Sequence, residues 1–232
     1  TNWCGHPFSQ ANWYAFGRLA WNPNLSAEEI ADEWLRQTFD TKEAKFIESV
    51  REMMMTSRET CVNYMMPLGL HHIFSFDHHY GPEPDGFKAE YPLEWCPVYY
   101  HKADSMGVGF DRTVATGSGA TAQYRQPYAD KYERLSTCPE EYLLWFHHVP
   151  WSYTMRSGHT LWQEMCLKYN LGVAMVETYR NYWSTGARSY IDSERWQQVD
   201  SLLQVQLDNA REWRKVCLEY FQTFSGQPIL KY

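Results

Sequence analysis

Four imidazoles and a carboxylate fall within nine residues: His71, His72, Asp77, His78 and His79. Neutral imidazole suits Zn, Mn or Fe, so a His/Asp metallohydrolase is one chemistry this stretch could serve. The spacing works against it. Adjacent side chains in an extended segment point opposite ways, which separates His78 from His79. The HExxH arrangement that sets two imidazoles on one helix face is absent. The pair His147-His148 faces two directions and reads as one buried ring and one surface ring.

Other reaction types leave less trace. There is no GxxxxGK[ST] loop, no GxGxxG after a strand, no GxSxG elbow and no CxxC. A glycosidase needs two carboxylates flanking the scissile bond, one of them with a raised pKa. Glu28, Glu29, Asp32, Glu33, Glu140 and Glu141 read instead as solvated helix faces and first-turn charges. Asp77, Asp104 and Asp111 are the only candidates in the loop region for such a pair, and each reads rather as a residue that orients a loop or a ligand. The remaining inventory suits carbohydrate. Trp95, Tyr80, Tyr99 and Tyr100 offer rings to the apolar face of a sugar. His71, His72, His78, His79, His101 and Arg112 offer donors, and the Arg fork matches a carboxylate, so an acidic sugar fits.

These residues need a frame, and the 232-residue chain is long enough to provide one around a sizeable core. Eleven Trp and seventeen Tyr are too many rings for disorder, and they imply either a Trp-rich helical core or a ring-lined groove. The net charge of −7, with no basic stripe, argues against nucleic acid as a partner. No apolar run approaches the ~20 residues of a membrane helix. The six cysteines show no zinc spacing and read as reduced, buried thiols. The opening Thr1-Asn2-Trp3-Cys4-Gly5-His6 carries no initiator Met and no signal-peptide core and reads as the interior of a longer protein.

Apolar periodicity predicts helices over 9–21, from a Ser26/Glu29 capping box to about Phe39, and from Thr41 to about Met66. Residues 67–126 gather Gly, Pro and His and read as long loops, with a short helix near 98–105. Thr137 and Glu140 suggest another capping box before YLLWFHHV. Two long helices follow, over about 159–183 and 192–224. The last is apolar on more than one face, as in a helix central to its domain or packed on a partner.

Four strings then carry a resemblance: NWCGHPFSQANWYAFGRLAWNP (2–23), MMPLGLHHIFSFDHHYGP (65–82), EWCPVYYHKADSMGVGFDRT (94–113) and TCPEEYLLWFHHVPWSYTMRSGHTLW (137–162). Together they resemble the C-terminal region of the α-glucuronidases of glycoside hydrolase family 67. The resemblance implies a mainly α fold: an irregular helical bundle, 1–232, with a loop-rich substrate-facing insertion over 67–126. It implies a three-domain parent whose catalytic acid and base lie in a preceding (β/α)8 barrel, leaving no catalytic residue here. The parent would remove α-1,2-linked (4-O-methyl)-glucuronic acid from xylooligosaccharides with inversion and without cofactor or metal. The partners implied are that oligosaccharide, the chain's own barrel and a second copy in a homodimer. By the same resemblance Trp95 stacks on xylose, and His71, His72, His78, His79, Tyr80, Asp111 and Arg112 form the lip of the cleft. A cytoplasmic location fits the family's use of imported oligosaccharides, with an extracellular or periplasmic one as the alternative. The rival readings are a stand-alone carbohydrate-binding module and the metallohydrolase above.

Overall fold

The capping box at Ser26 forms. Ser26 Oγ accepts the Glu29 amide at 3.2 Å, and Glu29 Oε2 accepts the Ser26 amide at 2.8 Å. Each satisfies a donor with no partner inside the helix, a device worth about 1 kcal/mol. The helix it opens, α2 (Ala27–Phe39), stops where Asp40 turns left-handed at φ 47°. The computed structural model describes residues 6–76 and 80–230. The other helices among them are α1 (Ser9–Trp21), α3 (Ala44–Met65), α4 (Pro97–His101), α5 (Tyr128–Glu133), α6 (Leu143–Phe146), α7 (Leu161–Tyr182) and α8 (Ser193–Ser225). Two short strands, β1 (Gly107–Val108) and β2 (Val149–Pro150), pair antiparallel with Val108 opposite Val149. The fold is mainly α, as the sequence implies.

The chain gathers into two compact units, Thr1–Cys61 with Ala174–Asp208 and Val62–Val173 with Asn209–Tyr232. In the first, Trp34, Leu35 and Phe39 meet Phe46, Ile47 and Val50 of α3 and Trp183, Val199 and Leu203. Trp183 and Trp196 exchange bonds: each indole N–H donates to the other's carbonyl at 3.0 Å. α1 is fastened by a two-pronged ion pair, Arg18 to Glu33 at 2.7 and 3.0 Å, with the Tyr14 hydroxyl on the same carboxylate. The periodic residues of α1 do not enter a core. Trp13, Phe16 and Trp21 are 59, 69 and 86% exposed.

The second unit holds the loop-rich segment. Its long irregular chain carries many polar backbone groups that burial would penalise unless paired. Backbone–backbone bonds do most of the pairing, and three indoles and a phenol add to it. Trp151 donates to the Asp104 carbonyl, Trp162 to Pro228, Trp213 to Tyr80 and Tyr169 to Met65, all at 2.9–3.1 Å. Part of the Trp and Tyr count therefore reflects buried rings that fill the core and tie chain segments to it: Trp151, Trp162, Trp213 and Tyr169 are all buried. Cys96, Cys138, Cys166 and Cys217 are buried thiols in no disulfide, and burial pushes Cys138 and Cys217 up to about 12.

Two local expectations fail. Thr137 does not cap a helix: its hydroxyl donates to the Lys131 carbonyl at 2.9 Å, and Glu140 accepts the Arg156 amide at 2.7 Å. A single 3₁₀ turn (Glu140–Tyr142) and the one-turn α6 replace the predicted helix. His147 and His148 consequently lie on extended chain leading into β2, with His147 buried and His148 half-buried. The helix expected over 98–105 is α4, cut short by a left-handed Lys102 at φ 46°.

Candidate sugar-binding ledge

Five side chains from three distant stretches meet in the second unit. His72 adopts a left-handed backbone, φ 59°, so the alternation of an extended segment breaks there. Both adjacent imidazoles then pack on one ring: Tyr100 lies 4.4 Å from His72 and 6.1 Å from His71, centroid to centroid. His71 also meets the Trp145 ring edge-on at 5.0 Å. Burial lowers the His71 pKa, and the charges of His72 and Arg112 lower it further, so this imidazole is neutral near pH 7.

Arg112 is the centre of the group. It is only 8% exposed. Its guanidinium carbon lies 3.7 Å from the Trp145 ring centre and 4.2 Å from that of Phe110, a cation held between two π faces. One Nη1–H donates to the Trp145 carbonyl. Among the described residues no carboxylate forms an ion pair with it. Burial lowers its pKa, opposed by the nearby tyrosines.

Trp95 stands on a 3₁₀ turn, Leu93–Trp95, and is 59% exposed. A large ring left that open is available for stacking. Its edge is propped by Tyr91 at 6.0 Å, which meets Phe76 at 5.6 Å, and Lys88 Nζ sits over both rings at 5.2 and 4.5 Å. The turn is anchored beneath by buried Cys96 and by the Tyr100 hydroxyl, which donates to the Glu94 carbonyl at 2.9 Å. Tyr100 thereby joins the Trp95 turn to the two histidines. Tyr80 is also exposed, and its carbonyl accepts the Trp213 indole.

Asp111 is placed differently from the other expected lip residues. Its carboxylate accepts the Thr113 amide at 3.0 Å and the hydroxyls of Thr113 and Thr116 at 2.7 and 2.6 Å. Burial alone would raise its pKa, but these hydrogen bonds and the nearby His147 outweigh it and hold the carboxyl below its usual range. Glu133 does the same from the far side of the loop. It accepts the amides of Val114 and Ala115 at 3.0 and 3.1 Å and the Thr121 hydroxyl. Both carboxylates organise the 113–121 loop.

His78 and His79 lie outside the described residues, as does Asp77. Residues flanking them are tied: the Ser75 amide donates to Gly81 at 2.8 Å, and the Glu83 amide donates to Ile73 at 3.0 Å. Among the described residues no group of three or more His, Cys, Asp or Glu is placed to hold a metal ion.

The arrangement can stack and hydrogen-bond a polyhydroxylated ligand. The loop carboxylates Asp104 and Asp111 both accept backbone amides, Met106 and Gly107 on the first and Thr113 on the second. Sequence reasoning missed Trp145, Phe110, Tyr91 and Glu133. Phe110 stands two residues from Arg112, which was a usable signal. Trp145 and Glu133 are remote in sequence and carried none.

Comparison with known proteins places these residues in a lineage. Residues 4–232 match the family model described as glycosyl hydrolase family 67 C-terminus. The chain is 33% identical to a probable alpha-glucuronidase A of Aspergillus clavatus, over 97% of this chain and 26% of that protein. Alpha-glucuronidase A of Aspergillus tubingensis matches with the same identity and the same shares. That of Emericella nidulans is 33% identical over 98% of this chain and 26% of its own length. The chain thus spans about a quarter of the length of the curated relatives it matches.

Proposed function

Because the chain belongs to glycosyl hydrolase family 67, we propose that it serves an α-glucuronidase, as the part that walls the substrate cleft. The reaction of this reading removes α-1,2-linked (4-O-methyl)-glucuronic acid from the end of a xylooligosaccharide. Acid and base carboxylates outside this chain would protonate the leaving xylose oxygen and activate water on the opposite face. Trp95 would stack on the xylose side, while His71, His72, Tyr80 and Arg112 border the sugar. His78 and His79, outside the described residues, are carried to the same lip by the family resemblance alone. Asp111 would act on the lip through the loop it organises.

The observation that carries the reading is 33% identity across 97% of the chain to proteins named as alpha-glucuronidases. An exposed Trp95 joined through Tyr100 to two histidines supports the binding role. A second copy of the chain is the further partner of this reading, and the exposed aromatic face of α1 is a surface suited to it. Sedimentation of the whole protein reads that assembly.

The decisive test is incubation of the whole protein with purified aldouronic acids and chromatography of the products. Release of glucuronic acid with an intact xylooligosaccharide supports the reading. Binding of the oligosaccharide without any release would instead support a carbohydrate-binding module.

A further inference from the structure

Beside the ledge lies an open groove of about 310 Å³, at the small end of the range for small-molecule sites. Its walls are aromatic: Tyr124, Tyr132, Tyr142, Trp145, Phe146 and His71, with Gly69 and Leu70 completing the lining. Tyr132 stacks on Phe146 at 4.5 Å and 9°, and Tyr124 stands edge-on to Tyr132 at 5.1 Å. Tyr124 and Tyr142 remain exposed. Burial and the neighbouring tyrosines raise the Tyr132 pKa, so its hydroxyl stays a neutral donor.

The groove's electrostatics are one-sided. None of its lining residues is acidic, in a chain of net charge −7. Arg112 lies against the Trp145 ring that forms part of the wall. This cation is nine-tenths buried and has no carboxylate partner among the described residues. A buried, unmatched guanidinium costs free energy that stacking only partly offsets, and an anion nearby would complete it. The Arg112 guanidinium carbon is 3.7 Å from the centre of the Trp145 ring, which sets the charge next to the groove wall.

We infer that this groove is a second carbohydrate subsite, which takes an acidic sugar ring with its faces on Tyr124, Tyr142 and Trp145 and its carboxylate towards the Arg112 charge. The class of sugar rests on the function proposed above; the site itself does not. On a substrate bearing two uronates, it would hold one that is not being cleaved.

The test is equilibrium binding of a glucuronate-bearing xylooligosaccharide to the whole protein, read as sites per chain, with Tyr124→Ala/Tyr142→Ala for comparison. Both rings are exposed, so the variant is expected to fold, and its melting curve checks that. At ligand concentrations that just saturate the wild type, it should show one more site than the variant, because the change lowers affinity at that site roughly tenfold or more. KM for a singly substituted oligosaccharide should not move. An unchanged number of sites overturns the subsite. Equal affinity of the neutral oligosaccharide for it overturns the acidic assignment. Should the protein release no glucuronate yet lose one binding site in the variant, the function proposed above falls and the subsite stands.

Discussion

The ring of His101 bridges two turns: its Nε2–H donates to the Pro84 carbonyl at 2.8 Å, and its Nδ1 accepts the Ala103 amide at 3.0 Å. The same ring meets Phe221 of α8 edge-on at 5.3 Å. His101 is therefore a neutral buried pin that holds the Trp95-bearing segment against the last helix. Burial is the main cause of its low pKa, about 4 against the usual 6.5, with the Pro84 hydrogen bond opposing. As pH falls from 6.5 towards 4, the unfolded chain takes up a proton that the folded one refuses. Stability should drop across that window by up to about 3 kcal/mol from this residue alone. His6, His71 and His147 are shifted the same way by burial and add to the slope. In urea melts between pH 7 and 4, His101→Gln should flatten the slope. An unchanged slope would remove His101 from this role.

Gly109 has φ +108°, and a Cβ there would lie 2.1 Å from the His147 carbonyl oxygen. Both the conformation and the contact exclude a side chain. Gly109→Ala should cost about 3 kcal/mol or more, because the opposing atoms are backbone and cannot swing aside. A urea midpoint equal to that of the wild type would contradict this.

On the proposed function, Trp95→Ala in the whole protein should raise KM for an aldouronic acid about tenfold and leave kcat and Tm nearly unchanged. The ring is largely exposed, so its removal opens no cavity, and a lost stacking surface appears as lost uniform binding. A fall in kcat at constant KM would contradict the stacking role.

Glu133→Gln should loosen the 113–121 loop without lowering the global melting point much. A neutral amide accepts the Val114 and Ala115 amides more weakly than a carboxylate does. Hydrogen exchange at those two amides should quicken. Acid should mimic the variant. Hydrogen bonds, chiefly from Thr121, hold the Glu133 pKa below its usual range, so the tether persists at neutral pH and weakens as pH falls through that lowered value. Protection that is equal in the two proteins would show that the loop is held by other contacts.

How far these residues could be read in advance depended on the range of their interactions. The long helices were legible because capping and periodicity are local, as at Ser26 and along α8. The 137–148 stretch was not. A Thr hydroxyl in front of a helical pattern can donate to upstream carbonyls as readily as cap, and Thr137 does so. Site chemistry divides in the same way. Trp95, His71, His72 and Arg112 could be picked out as residue types, but Arg112 needs Trp145, 33 positions away, to become a stacked cation. The α1 face shows the converse error: its spacing marks an apolar stripe and says nothing of what the stripe meets.

The indoles that tie loops to the second unit have an optical consequence. Trp213 holds the Tyr80 carbonyl and Trp151 holds that of Asp104, so each chromophore is hydrogen-bonded to the loop segment it secures. Indole emission shifts with the polarity and bonding around the ring. A ligand that reseats these loops will therefore change the colour and intensity of the protein's own fluorescence. The ultraviolet signal becomes a label-free gauge of loop seating, readable in a stopped-flow cell before any product forms.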